Sequence, residues 1–166
     1  MSYFIIIRGP LGSGKTTIAD KVAEKINAKH FDVDKVLEDN DLYTEEEEGY
    51  VSQKDFLKAN SLVIDEAREA LQKGQPVIFD SNFYWKSQIE DLIEKLDFPH
   101  FEFTLNAPLD VCIKRDENRK VSQGKDAAIV VHEKTSEFTY GVEIDTTKGI
   151  GESVDEIVLY LPEKRE

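Results

Sequence analysis

The sequence predicts an α/β fold of three layers, in which a five-stranded parallel sheet carries helices on both faces. The first observation behind this prediction is that apolar runs of strand length alternate with helical patterns along the 166 residues. The second is that the first run, residues 3–8, is almost wholly apolar, which is typical of a parallel strand buried on both faces. A glycine-rich turn and an amphipathic helical pattern follow it at once.

The remaining elements are placed by apolar periodicity and by helix-capping signals. Ser52 opens the longest helix, with Asp55 in the capping-box position and Gly74 after the last turn. The predicted strands are 3–8, 29–33, 76–80, 101–105 and 141–145. The predicted helices are 15–28, 52–73, 86–96, 108–120, 127–138 and 153–161. The polar stretch 38–51, which contains four consecutive glutamates, is interpreted as a solvated loop or, alternatively, as a cap over a cationic substrate.

Length, charge and cysteine content restrict the class of protein. A chain of this length without a linker-like stretch is expected to form one domain over residues 1–166. Its single cysteine, Cys112, excludes a disulfide framework and lies on an apolar helical face, so we expect it to pack in the core. We expect a cytoplasmic monomer or small homo-oligomer, because no leader and no membrane-spanning run precedes or interrupts the pattern. The net charge of −13 disfavours nucleic acid and acidic membranes as partners.

Residues 9–16 form a complete G-x-x-x-x-G-K-[ST] phosphate-binding loop between the first strand and the first helix. The glycines allow successive backbone N–H groups to face an anion, and the helix N-terminus adds its partial positive charge. We expect Lys15 to reach the β- and γ-phosphates of ATP and Thr16 to bind Mg²⁺. The predicted nucleotide-binding residues are Gly9, Leu11, Gly12, Ser13, Gly14, Lys15, Thr16 and Thr17. An ordinary glycine-rich turn is the alternative.

Two aspartates, Asp32 and Asp34, lie at the end of the second predicted strand. In open α/β sheets ligands bind beyond the carboxyl ends of the strands, so both carboxylates are expected near the nucleotide. Either one could accept the proton of an attacking hydroxyl or bind Mg²⁺, and we assign Asp34 to the first role and Asp32 to the second. The alternative is that they only cap the helical segment that begins at Lys35.

A third carboxylate, Asp80, ends the third predicted strand and is expected to order Mg²⁺ as in a Walker-B strand. The alternative is that this segment caps the next helix, with Asn82 as the better candidate for the cap. The aromatic run at residues 83–85 could either stack on an acceptor or anchor the turn to the core.

Arg115 and Arg119 lie four residues apart and therefore share one helix face. They lead into a polar segment, so we expect them to clamp phosphate oxygens from a closing lid at about 115–127. Surface ion pairs with Asp116 or Glu117 are the alternative.

With these motifs, nearly the whole chain resembles a small P-loop kinase of the adenylate-kinase-like group. It is most similar to the branch that contains polynucleotide 5′-kinases and chloramphenicol phosphotransferase. The segment 31–38 resembles the stretch where that branch places its general base, and Asp80-Ser81-Asn82 resembles its Asp-[Thr/Ser]-Asn element. The resemblance implies a P-loop NTPase fold, lid arginines at 115 and 119, and adenine bordered by residues 149–153.

Two departures from the patterns of related kinases narrow the range of possible acceptors. Polynucleotide kinases carry an arginine three residues after the base, where this chain has Leu37, and this argues against a polynucleotide. The Asp32-x-Asp34 pair also resembles shikimate kinases, but Ser81-Asn82-Phe83 replaces their glycine triplet, which argues against shikimate.

The sequence therefore predicts an ATP-dependent phosphotransferase that acts on a hydroxyl or phosphate of a small molecule, such as a nucleoside, a nucleotide or another hydroxylated metabolite. We expect a helical substrate-side region at about 38–73 to shape the pocket for the acceptor. The alternative is an ATPase or nucleotide-dependent switch that acts with a protein partner. The chain has no Asn-Lys-x-Asp element of the kind with which P-loop GTPases read guanine.

Overall fold

The computed structural model describes residues 2–119 and 123–163 and contains a five-stranded, all-parallel sheet. The strand order is β2-β5-β1-β6-β7. The five strands are β1 (Phe4–Arg8), β2 (Lys29–Asp32), β5 (Val77–Ser81), β6 (His100–Asn106) and β7 (Val142–Asp145), and a separate antiparallel hairpin pairs β3 (Glu46–Glu47) with β4 (Tyr50–Val51). The helices are α1 (Lys15–Ile26), α2 (Val33–Asp39), α3 (Gln53–Gln72), α4 (Lys86–Leu96), α5 (Leu109–Glu117), α6 (Lys125–Thr135) and α7 (Ile150–Leu159), with a 3₁₀ turn at Thr146–Lys148.

Strand β1 is the centre of the sheet because it pairs with β5 on one side and β6 on the other. All five of its residues are buried. Successive side chains of a strand point to opposite faces. Phe4 and Ile6 accordingly join one apolar cluster, and Ile5 and Ile7 join the other. An apolar strand without polar alternation is therefore what this central position requires.

The two apolar clusters hold helices on both faces of the sheet. Helices α1 and α7 pack on one face through Ile18, Val22 and Ile157. Helices α2, α3 and α4 pack on the opposite face through Leu37, Phe56 and other apolar side chains. The predicted three-layer α/β fold with a five-stranded parallel sheet is confirmed.

The largest difference from the predicted elements lies between residues 32 and 51. Strand β2 ends at Asp32, and α2 follows at once, although the sequence pattern suggested a strand to residue 33 and a loop from 38. The loop prediction is wrong for this segment, because it contains the end of α2 and the β3–β4 hairpin. Asp55 at the start of α3 holds the segment by accepting hydrogen bonds from the backbone N–H and hydroxyl of Thr44, at 2.9 and 2.6 Å.

Helix ends differ from the predicted ones by smaller amounts. Helix α6 spans 125–135 instead of 127–138, because residues 136–140 turn away to contact β6 and Arg8. Helix α7 begins at Ile150 instead of 153. Helix α5 ends at Glu117, and Lys120, the predicted end, lies outside the described residues. Within the described ranges, no helix is both long enough and apolar enough to cross a bilayer.

Candidate functional site

The phosphate loop joins β1 to α1 and is held in a conformation that only glycine adopts without strain. Gly12 and Gly14 have φ values of 76° and 87°, in the left-handed region. A Cβ atom at Gly12 would lie 2.1 Å from the carbonyl oxygen of Cys112 in α5, so the loop packs directly against that helix. Cys112 is fully buried, as its place on an apolar helical face predicted.

The first turn of α1 is open to an anion. Gly14 is the N-cap residue and makes no side-chain capping hydrogen bond. The N–H groups of the first helical turn have no intrahelical acceptor, and they carry the positive end of the helix dipole. Ser13, in the same loop, is 1% exposed, and its hydroxyl oxygen has no hydrogen-bond partner among the described residues. These features fit a bound phosphate group.

Lys15 and Asp34 meet across the carboxyl ends of β1 and β2. Lys15 Nζ lies 3.8 Å from Asp34 Oδ2, and the lysine side chain is 9% exposed. Asp34 lies in the first turn of α2, where it accepts a 2.7 Å hydrogen bond from the Ser81 hydroxyl and a 3.1 Å bond from the Asn82 N–H. Partial burial raises the pKa of Asp34 above its ordinary value, against the opposing effect of Lys15.

Thr16 and Asp80 form a second pair beside the loop. The Thr16 hydroxyl donates to Asp80 Oδ1 at 2.9 Å, and Asp80 is fully buried at the end of β5. His30 contacts the other oxygen of Asp80 through Nε2 and contacts Asp20 through Nδ1 at 2.6 Å. Burial lowers the pKa of His30, but its contacts with Asp80 and Asp20 outweigh that effect and raise the pKa.

The donor set at this position fits Mg²⁺, because hydroxyl and carboxylate oxygens are the ligands that this ion prefers. Among residues 2–119 and 123–163, no group of three or more His, Cys, Asp or Glu side chains is arranged as a metal site. A P-loop metal takes most of its ligands from phosphates and water, so Thr16 and Asp80 are the protein atoms that would hold it.

Asp32 has the structural role that the sequence left open. It is the N-cap residue of α2, and its carboxylate accepts from the Lys35 N–H at 3.1 Å. Burial and then the nearby Asp80 raise the pKa of Asp32. Asn82 does not cap α4, since Trp85 holds that position. Asn82 instead binds Asp34 through its backbone, and its side-chain oxygen is buried without a partner among the described residues.

Arg115 points to the phosphate loop, whereas Arg119 does not contact it. Arg115 donates to the Thr146 carbonyl at 2.9 Å and the Thr146 hydroxyl at 3.1 Å, and more weakly to the carbonyls of Gly12 and Ser13, at 3.5 and 3.4 Å. It therefore ties the loop to the 3₁₀ turn that precedes Gly149 and α7.

Arg119 is 52% exposed and lies 3.7 Å from Asp116, as the surface ion-pair alternative predicted. Asp116 is buried and accepts from the N–H groups of Gln123 and Gly124. These bonds tie the residues just before α6 to the last turn of α5. Of the predicted lid at about 115–127, residues 120–122 lie outside the described residues.

The aromatic run at 83–85 anchors the turn after β5 to the core. Phe83 and Tyr84 are 0% and 4% exposed, and the Trp85 indole N–H donates to the Val51 carbonyl at 2.7 Å. Of the two interpretations of this run, anchoring is correct for Phe83 and Tyr84. In the phosphate-loop segment, Leu11 is half-buried and Thr17 is exposed.

Sequence reasoning missed two buried cations near the site. Arg8 is 0% exposed and donates to the carbonyls of Phe83, Thr135 and Phe138, at 3.1, 2.9 and 2.9 Å. Lys134 lies 4.1 Å above the Trp85 ring and 3.0 Å from Glu137. Arg8 could have been found from the sequence, because a charged residue in an otherwise apolar strand implies that buried hydrogen-bond partners surround it.

Comparison with known proteins finds a family model that matches most of the chain and a relative that matches over a short segment. A family model described as AAA domain matches residues 4–138. The shikimate kinase of Marinomonas sp. (strain MWYL1) is 47% identical over 36 residues, a segment that spans only 22% of this chain and 20% of that protein.

Two solved structures show the same fold over nearly the full length. A sugar kinase from Janibacter sp. HTCC2649 gives a TM-score of 0.78 at 17% identity, covering 96% of this chain and 94% of the other. The APS kinase CysC of Mycobacterium tuberculosis, in complex with AMPPNP and APS, gives 0.67 at 16% identity, covering 95% of each. The P-loop NTPase fold is thus confirmed. The narrower likeness to polynucleotide 5′-kinases and chloramphenicol phosphotransferase stays a prediction.

Proposed function

Because this chain belongs to the AAA domain family, we propose that it is an ATP-dependent kinase that transfers the γ-phosphoryl group of ATP to a hydroxyl of a small molecule. The observation that carries this proposal is the 3.8 Å approach of Lys15 Nζ to Asp34 Oδ2. It brings the residue that holds a transferred phosphate next to a carboxylate able to accept the proton of the attacking hydroxyl. The kinases among the related proteins support the same reaction class.

In this proposal the donor half of the site holds ATP through the phosphate loop. Backbone N–H groups of residues 11–17 bind the phosphates, with Gly9 as the loop's entry from β1, and Lys15 stays with the γ-phosphoryl group during transfer. Thr16 and Asp80 hold Mg²⁺, with Asp32 able to contribute through water. When bound, the ion neutralises charge on the phosphates.

The acceptor half of the site centres on Asp34. The acceptor oxygen attacks the γ-phosphorus as the bond to the β-phosphate oxygen breaks, and the hydroxyl proton passes to Asp34, so the products are ADP and a phosphorylated acceptor. A pKa raised above the ordinary value makes Asp34 a stronger base. The proposal keeps residues 38–73 as the acceptor-side region of a single domain.

Arg115 and Arg119 complete the charge balance in this proposal. Arg115 already lies at the loop and stabilises negative charge that develops during transfer. Arg119 is exposed at the end of α5 and reaches the phosphates when the segment 115–127 closes. Closure also excludes water, which would otherwise compete with the acceptor.

We further expect the acceptor to be uncharged, because Arg8, Lys134 and Arg115 already have partners among the described residues. Arg8 binds three backbone carbonyls, Lys134 lies against Trp85 and Glu137, and Arg115 binds Thr146. An anionic acceptor would bring further negative charge towards the carboxylates beside the triphosphate.

Hydrogen-bonding capacity favours the same class of acceptor. Two acceptor groups near Asp34 favour a ligand with hydroxyl donors: its own carboxylate, and the buried side-chain oxygen of Asn82, which has no donor among the described residues. A molecule with several hydroxyl groups supplies donors to both, whereas a carboxylate or phosphate supplies none. Nucleosides and neutral polyols are therefore expected ahead of nucleotides and sugar acids.

A coupled ADP-release assay tests the proposal. Turnover with ATP and Mg²⁺ should rise when a neutral hydroxylated acceptor is added, and Asp34→Asn should lower kcat by about a hundredfold or more while ATP still binds, as measured by calorimetry. Glu24→Gln, which changes an exposed carboxylate on α1 outside the proposed site, is the control and should leave turnover unchanged. Stimulation by a protein partner alone would instead support the ATPase or switch alternative. A preference for anionic acceptors would overturn the charge argument.

A further inference from the structure

A buried chain of hydrogen bonds connects helix α4 to Asp34. The Gln88 side-chain N–H donates to the Ser81 hydroxyl oxygen at 3.3 Å, and the Ser81 hydroxyl donates to Asp34 Oδ1 at 2.7 Å. Gln88 and Ser81 are both 0% exposed, so water does not compete for these groups. The chain runs from the first turn of α4, through the last residue of β5, to the first turn of α2.

The chain fixes the direction in which the Ser81 hydroxyl points. A hydroxyl has one proton to donate and can accept further hydrogen bonds. The Gln88 amide occupies an acceptor position on the Ser81 oxygen, which leaves the single Ser81 proton for Asp34. This bond and the bond from the Asn82 N–H together fix the orientation of the Asp34 carboxylate, whose Oδ2 atom lies towards Lys15.

Gln88 is itself held in place by its backbone. The Gln88 carbonyl accepts from the Asn60 side-chain N–H at 3.0 Å, and its N–H donates to the Trp85 carbonyl at 3.2 Å. Asn60 is 0% exposed and also donates to Asp91 at 3.0 Å. The network therefore links α3 and α4 to the carboxylate.

We propose that Gln88 is a positioning residue for Asp34, and that it acts by orienting the Ser81 hydroxyl. This inference rests on the proposed role of Asp34 as the base. Without the Gln88 donor, the Ser81 hydroxyl is free to turn away, and Asp34 loses a hydrogen bond that stabilises its charged, correctly oriented form. The effect is on the chemical step, through the orientation of Asp34, whereas ATP is bound by other residues.

The decisive variants change the donor while keeping side-chain volume. Gln88→Met removes it, and Gln88→Glu replaces it with a carboxylate that accepts from Ser81 and so withdraws the hydroxyl proton from Asp34. Gln88→Met should lower kcat about three- to tenfold, the size of one buried hydrogen bond, with KM for ATP unchanged. Gln88→Glu should lower kcat further. In both variants the acid limb of the kcat profile should move to higher pH.

A second readout separates this inference from the proposed function. The pKa of Asp34 can be followed in the nucleotide-free protein by NMR of its ¹³C-labelled carboxyl group, with Asp34→Asn used to assign the signal. The pKa should rise in Gln88→Met and rise more in Gln88→Glu. Leu96→Ala, which removes a buried side chain at the opposite end of α4 from Gln88, is the control and should leave the pKa unchanged.

The outcomes are distinguishable. If Asp34→Asn retains full turnover, the proposed base is wrong, whatever the NMR titration shows. If Asp34→Asn is inactive but the pKa and the kcat profile are the same in both Gln88 variants, positioning by Gln88 is overturned. Should either Gln88 variant fail to fold, Ser81→Ala removes one oxygen atom from the same chain and carries the same expectation for the pKa and for kcat.

Discussion

Substitution of Gly12 by alanine tests the close packing of the phosphate loop against α5. Gly12 combines a left-handed backbone, with φ of 76°, and a Cβ position 2.1 Å from the Cys112 carbonyl oxygen. Neither feature can be relieved by rotating a side chain, because the obstructing atom belongs to the backbone of a helix. The loop, the helix or both must therefore move.

The magnitude follows from adding two terms. An L-residue in the left-handed region costs about 1–2 kcal/mol, and forcing an extra methyl group into a packed contact costs about 1–3 kcal/mol. We expect Gly12→Ala to lower the free energy of unfolding by about 2–5 kcal/mol in total. Restoring an ordinary contact requires a displacement of about 1 Å, enough to misalign loop N–H groups and weaken ATP binding about tenfold or more.

Two other glycines separate these terms. Gly14 has φ of 87° but its Cβ position is 3.7 Å from Ile18 Cδ1, and Gly49 has φ of 85° with no atom within 4 Å. Alanine at either position should cost only the backbone term of about 1–2 kcal/mol. Urea denaturation measures the free energies, and calorimetry measures ATP affinity for Gly12→Ala and Gly49→Ala. Equal losses of stability at Gly12 and Gly49 would refute the packing argument.

Three further predictions concern residues around the site. Arg8→Met should lower the free energy of unfolding by about 3 kcal/mol or more, since three backbone carbonyls lose the donor that Arg8 provides, and urea denaturation measures the loss. Asp55→Asn should cost about 1.5–3 kcal/mol at pH 7. Burial raises the pKa of Asp55, but hydrogen bonds from Thr44 and its neighbours outweigh this effect and lower the pKa overall. The charged carboxylate therefore stabilises the fold above its ordinary pKa. The difference in free energy of unfolding between Asp55→Asn and wild type should vanish as the pH falls below about 4. Lys134→Met should cost about 1–2 kcal/mol and change the emission of Trp85, the sole tryptophan; an unchanged spectrum would contradict the contact.

The elements that the sequence predicted well are those with strong periodicity. Residues 4–7 of strand β1 form an unbroken apolar run because the strand is buried between two neighbouring strands, and α3 shows both its cap and its apolar face. The phosphate loop is local in sequence, so its residues could be identified without tertiary information. The fold and the nucleotide half of the site follow from such local signals.

The segment 33–51 could not be predicted in the same way because long-range contacts determine it. Its charge suggested a solvated loop, yet Asp55 and Tyr84 hold it through hydrogen bonds to Thr44 and Val51. Helix α2 is only seven residues long and would not form in isolation. It is formed by packing of Val33 and Leu37 against the sheet, a contact that periodicity over one turn cannot reveal.

The same distinction explains why Asp34 is placed well enough for chemistry. A carboxylate on a two-turn helix would be mobile if local forces alone held it, because helices of this length are marginal. Ser81 and Asn82 instead bind it from the end of β5, a strand paired directly with β1, and β1 carries the phosphate loop. The distance between Lys15 and Asp34 is therefore set through the sheet. Variants of α2 that keep Asp34 should preserve this distance better than variants of the β5 turn.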